Sequence, residues 1–206
     1  MLTNKVESHT QKLVIFANPT NKPKPEAIEL NNKAVDMFVF SYTSDCDLCT
    51  KCQAINDLKK AIDIDSTYYG AYDNLMRYAS EIKCYNLAIK YANRYIQKNP
   101  TSNLDIYGLR GLVYMDMGNQ AMAQKDFTKQ IQIYDQLSDR EIEPIRLIIK
   151  AIYLVLNGQR DKAKALMNSS SITSKKMSTE DREWLSELRK QIQDAPPEEL
   201  MKIIWN

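Results

Sequence analysis

Residues Ala71 to Pro100 read AYDNLMRYASEIKCYNLAIKYANRYIQKNP, two segments of 3.6-residue apolar periodicity separated by a break. The same pattern recurs along the chain. Sliding it forward by 35 residues sets Tyr72 on Tyr107, Met76 on Gly111, Ala88 on Ala123 and Ala92 on Phe127. A further slide of 40 sets Gly111 on Ala151, Gly118 on Gly158, Ala123 on Ala163 and Phe127 on Met167. Sliding back by 34 sets Ala88 on Ala54, Ala92 on Leu58, Tyr95 on Ala61 and Pro100 on Ser66. Small residues, Ala54, Ala88, Ala123 and Ala163, recur where two helices must approach closely. Large ones, Tyr72, Tyr107, Tyr114 and Leu147, fill the space between units.

This order of bulky, small and Pro positions resembles the tetratricopeptide repeat, a helix–turn–helix unit of about 34 residues. The best copies are the opening stretch and IYGLRGLVYMDMGNQAMAQKDF, which keeps Gly111 and Gly118 with Tyr114 between them. A copy with an insertion spans 26–66 and a degenerate copy 142–169, so the resemblance runs from about Glu26 to Asn168. It implies an all-α, right-handed superhelix (solenoid) of about four repeats. The expected helices cover 25–41 and 52–64, 68–82 and 85–97, 104–117 and 120–136, 142–156 and 160–168. Pro25 suits a first helical turn, and Gly118 and Gly158 suit helix C-termini.

Three segments follow from this map. Residues 1–24, with Pro19 and Pro23, form an extended or disordered arm, and 25–169 form the repeat domain. Residues 178–206 form capping helices packed on the repeats: STEDREWLSELRKQIQD opens with a capping box, and PPEELMKIIWN starts a short last helix at its prolines.

Three of the four cysteines fall in CDLCTKC, as Cys46, Cys49 and Cys52. The map puts them in a lengthened inner turn of the first repeat, with Cys84 in the equivalent turn of the second. All four then gather at one edge of the stack. Three outcomes stay open: a tetrahedral zinc site, two disulfides in any of three connectivities, or thiols in a tolerated loop.

Charge is balanced, with 28 basic and 26 acidic residues, and no basic stripe argues for nucleic acid. The longest apolar run, Ala151 to Leu156, is far short of a membrane span. The apolar part of the N-terminal stretch is too short for a secretory leader, which makes the chain cytoplasmic if complete. A chain trimmed of its leader would instead be exported, periplasmic or lipoprotein-type. The one histidine, His9, lies in the arm, so no His-based triad or zinc hydrolase is expected. No phosphate loop or nucleophile elbow occurs, and the chain is not expected to be an enzyme.

What the resemblance implies instead is a scaffold that binds a protein or peptide along a concave groove lined by the first helix of each unit. By register the groove residues are Asn31, Val35 and Phe38; Asp73, Arg77 and Ser80; Leu112, Met115 and Asp116; then Ile145, Ile148, Ile152 and Val155. Of the clamp with which some members hold chaperone C-terminal carboxylates, only Asn74 is matched. Val35, Asp105 and Leu109 stand where Asn, Lys and Arg are needed, which disfavours that ligand. IEPIRLIIKAIYLVLNG carries only Arg146 and Lys150 as interior charges, and a helix apolar all round must be covered. The helix over 178–194 or the tail LMKIIWN would cover it from within the chain, and a partner or a second copy (a homo-oligomer) from outside.

Overall fold

The computed structural model describes residues 22–42, 47–100, 102, 104–137, 144–169, 172 and 179–205. The arm up to residue 21, Cys46 and Ser178 of the expected capping box lie outside the described residues. The described residues form helices α1 (Pro25–Ser41), α2 (Asp47–Ile64), α3 (Tyr69–Glu81), α4 (Tyr85–Lys98), α5 (Ile106–Asp116), α6 (Gln120–Asp135), α7 (Pro144–Leu156), α8 (Arg160–Met167), α9 (Thr179–Asp194) and α10 (Pro197–Trp205). No strand occurs among them. The all-α class and the helical-hairpin repeat expected from the sequence are therefore present.

Most expected boundaries hold to within two residues, and the start of α2 moves further. The insertion before Cys52 is helical from Asp47, so Cys49 and Cys52 belong to α2 and not to a turn. Aligning α2 on Ala54 explains the shift. In α4, α6 and α8 the matching alanine is the fourth residue, whereas in α2 it is the eighth. The extra residues were absorbed as one more helical turn at the N-terminus.

The repeat register is visible in the backbone as well as in the side chains. Ala54, Ala88, Ala123 and Ala163 are all 0% exposed. Five residues before the last three stand Lys83, Gly118 and Gly158, with φ of 61°, 79° and 74°. Each closes the preceding helix with the same pair of hydrogen bonds. Cys84 N–H donates to Ala79 O, Asn119 N–H to Tyr114 O and Gln159 N–H to Leu154 O, all at 2.7 Å. Lys83, Gly118 and Gly158 N–H donate to the carbonyls of Ser80, Met115 and Val155 at 2.8–2.9 Å. These satisfy carbonyls that a helix end would otherwise leave without partners.

The chain divides into two compact units between Gln120 and Ala121. In the first, α1 packs on α2, α2 on α3, α3 on α4 and α4 on α5, while the alternate helices α1, α3 and α5 also touch in sequence. Its aromatic centre is Tyr72, fully buried, with Tyr95 edge-on at 5.0 Å between ring centroids and Tyr91 at 6.3 Å. Burial pushes the Tyr72 hydroxyl up to about 12, and it donates to Ser66 O at 3.3 Å.

In the second unit the apolar α7 is covered from within the chain. Leu185, Leu188 and Ile192 of α9 and Leu200, Met201 and Ile204 of α10 are buried, and both helices pack on α7. Two arginines cap helix ends reciprocally. Arg160, opening α8, donates to Ile192 O at 2.8 Å and Ala195 O at 2.7 Å at the end of α9. Arg189 of α9 donates to Met167 O, the last residue of α8, at 3.0 Å.

The turn geometry gives opposite signs for matched substitutions. A Cβ added at Gly118 or Gly158 meets nothing within 4 Å, so only backbone strain counts there. Gly118→Ala and Gly158→Ala should each lose about 1–2 kcal/mol in denaturant unfolding. Lys83→Gly relieves the same strain against a larger unfolded-state entropy and should gain up to about 1 kcal/mol.

Candidate functional site

Of the site expected from the sequence, the part in the first unit falls on α1, α3 and α5, the adjacent alternate helices, and the rest on α7. A sequence face that packs against other helices is normally apolar, yet α3 carries Asp73, Asn74 and Ser80 buried at 3%, 8% and 6% exposure. Burying such groups costs free energy unless hydrogen bonds replace water. Here they do, and the bonds run from helix to helix. Asn74 Nδ2 donates to Asn31 Oδ1 of α1 at 2.9 Å, and Ser80 Oγ donates to Asp116 Oδ2 of α5 at 2.9 Å. Within α3, Arg77 Nε donates to Asp73 Oδ1 at 2.8 Å, an i,i+4 ion pair with a half-buried guanidinium. A polar seam of three separate contacts thus spans these helices: Asn31–Asn74 between α1 and α3, Asp73–Arg77 within α3, and Ser80–Asp116 between α3 and α5.

The α1–α3 end of this face is aromatic. Phe38 stacks on Tyr78 with ring centroids 3.6 Å apart, and Tyr42 meets Phe38 edge-on at 5.9 Å. Lys51 of α2, itself buried, donates to Glu81 at 2.8 Å, and its ammonium lies 4.6 Å from the Tyr42 ring centre and 5.4 Å from that of Phe38. Tyr42 donates to the other oxygen of Glu81 at 2.6 Å. Burial pushes the Tyr78 hydroxyl well above the usual phenol range; the nearby Asp73, Glu81 and Asp36 push it further, against Arg77. The phenol is neutral at any physiological pH, a packing group rather than an acid or base.

Two carboxylates fix α1, the outer wall of the site. Asp57 of α2 is buried and accepts from Lys33 of α1 at 2.7 Å and from Lys60 at 2.9 Å. Burial raises its pKa, but the two ammonium groups outweigh it and hold the carboxyl below the usual value. Asp65, past the end of α2, accepts from Lys24 N–H at 3.0 Å, just ahead of the first turn of α1, and from the Thr67 N–H and hydroxyl at 2.9 and 2.7 Å. There too burial raises the pKa and the hydrogen bonds lower it by more.

The other residues expected in the groove are placed as follows. Val35 and Met115 are half-buried on α1 and α5. Phe38 and Leu112, at 3% and 0% exposure, are core side chains and offer a partner no surface. Ile148, Ile152 and Val155 are buried in the core of the second unit and Ile145 is half-buried there. The apolar segment of α7 is an interior helix, for the physical reason already given: α9 and α10 cover it. Asn74, singled out from the sequence only as a clamp residue, makes the α1–α3 contact of the seam. The buried Lys51 was missed, since nothing in CDLCTKC marks its lysine as different from a solvated one.

Of the four cysteines, Cys46 lies outside the described residues. Cys49 and Cys52 are exposed on α2, and Cys84 is exposed immediately before α4. Among the described residues no three of His, Cys, Asp and Glu stand together as a metal-holding group. Nor is any described helix long and apolar enough to cross a membrane.

Comparison with known proteins bears on the repeat. Residues 104–137 match the family model for the tetratricopeptide repeat. No curated protein matches the chain. A solved structure, that of a tetratricopeptide repeat protein from Parabacteroides merdae, is similar at a TM-score of 0.42 and 15% identity, over 98% of this chain and 91% of that one.

The two depressed carboxyls set an acid dependence. Their contribution is fully present above the unfolded value of 3.8 and is lost as pH falls through the lower folded values. Between about pH 5 and about pH 3 the wild type should lose more stability than Asp57→Asn or Asp65→Asn. At neutral pH each variant should already be weaker by about 1 kcal/mol. Denaturant titrations across that range check both statements.

Proposed function

We propose that this protein, whose residues 104–137 are a tetratricopeptide repeat, is a non-enzymatic interaction scaffold that holds a peptide or protein segment against the polar seam of α1, α3 and α5. The observation that carries this reading is the seam itself. Packing alone would favour apolar residues at Asn31, Asp73, Asn74 and Ser80, because an apolar pair of the same shape is often as stable as a satisfied buried polar pair. Carboxamides and a hydroxyl already oriented by one another have lost their conformational freedom before a ligand arrives, which lowers the entropic cost of binding. Themselves buried, Asp73 and Ser80 hold the half-buried Arg77 and the exposed Asp116 in place, and it is these that a partner would meet.

The charges around the seam favour a basic segment. Asp36, Asp73, Glu81 and Asp116 stand on or beside it, against Arg77 and Lys51. Opposite charge on the partner would speed encounter and fix orientation more than it would add affinity.

The test is selection from a random-peptide display library with the purified chain. Enriched peptides should be basic, and Asn74→Ala and Asp116→Lys should each weaken their binding by about tenfold or more, as loss of one good polar contact does. Both variants should keep the helical circular dichroism of the wild type. Selection that yields no binder, or binders indifferent to both substitutions, would overturn the reading.

A further inference from the structure

Among the described residues five large apolar side chains are exposed, and four of them belong to one hairpin: Val39 and Phe40 of α1, Tyr42 just after it, and Leu48 in the first turn of α2. Val39 and Phe40 are 61% and 64% exposed. At about 100° per residue they share the face of α1 that carries Pro25, Ile28, Glu29, Asn32, Lys33 and Asp36. Those six residues line an open groove of about 570 Å³. The face lies opposite Ala27, Asn31, Ala34 and Phe38, which are buried. In a stack of hairpins each outer face is covered by the next hairpin, and a terminal face left in water is ordinarily polar. The outer face of α1, the first described helix, instead ends in two apolar side chains.

The chain carries a matching segment just upstream. Leu13, Val14, Ile15 and Phe16 form an unbroken run of large apolar residues. Phe16 is nine residue steps from Pro25, a reach of up to about 30 Å at roughly 3.3 Å per step. Val39 stands fourteen residues beyond Pro25, about 21 Å along the axis at 1.5 Å per residue. The run can therefore reach the apolar end of the groove. Its point of departure is fixed, since Lys24 N–H donates to Asp65 at 3.0 Å.

Charge selects the same occupant. Between Glu7 and Glu26 the chain has Lys12, Lys22 and Lys24 and no acidic residue. The groove carries Glu29 and Asp36, while the Lys33 ammonium is turned to Asp57 of α2 at 2.7 Å. A basic segment thus meets an acidic groove. A second copy fits less well, because a twofold axis through the middle of the stripe sets Glu29 against Asp36 of the other copy.

We propose that the outer face of α1 is a docking surface for the chain's own N-terminal segment, with residues 13–16 covering Val39 and Phe40. The segment is the N-terminal cap of the stack. Asn31 of the polar seam lies on the other side of α1, so this docking is independent of the function proposed above.

The test is a double-mutant cycle in the full chain, read as the denaturant midpoint of unfolding. Ile15→Ser with Phe16→Ser alters the segment, and Val39→Ser with Phe40→Ser alters the groove. Each pair should lower the midpoint, and the segment pair should lose about half or more of its effect once the groove is altered. The segment effect should stay constant over a roughly tenfold range of protein concentration. The proposal is overturned if the segment pair leaves the midpoint unchanged, since the face then serves another occupant. It is equally overturned if the two effects simply add. A segment effect that grows with protein concentration also overturns it, because a second copy then supplies the segment.

Discussion

Close approach at a buried alanine is the constraint on which the structure depends. Side chains on facing helices normally hold their axes about 8–10 Å apart, and a methyl group permits the near end of that range. Ala54, Ala88, Ala123 and Ala163 supply it, each with no solvent exposure and each in the second helix of its hairpin. Once that contact is set, the length from turn to contact is set as well. Lys83, Gly118 and Gly158 take up the left-handed backbone at the same distance before it. The site inherits this regularity, because a stack in constant register brings α1, α3 and α5 side by side.

Residue spacing carries that register openly, so hairpins and most helix boundaries could be read from letters alone. Gly118 and Gly158 announced two of the helix ends, since glycine occupies positive φ without strain. Lys83 does the same job with a side chain that gives no such signal. The start of α2 was hidden for a different reason. An insertion inside a repeat reads as a loop unless its residues favour helix for themselves, and here they lengthened the helix that followed.

The site was legible in its location more than in its chemistry. Register placed Asn31, Asp73, Arg77 and Ser80 on neighbouring helices, and these do interact or share the seam. It could not separate seam from core among apolar positions, because burial depends on what covers a face from elsewhere in the chain. Leu112, Ile148 and Ile152 went inside for that reason. The covering of α7 by α9 and α10 shows the same physics favourably: a helix apolar all round found its cover in a distant amphipathic segment.

The most direct measurement of the alanine contact is equilibrium unfolding of Ala88→Leu beside Ala121→Leu, the second an exposed position on α6. A close-packed contact predicts that Ala88→Leu loses about 1–3 kcal/mol through overpacking, while Ala121→Leu stays within about 0.5 kcal/mol of wild type. Equal stability for the two variants would mean that the helices do not meet at the alanine, and the register built on it would fail.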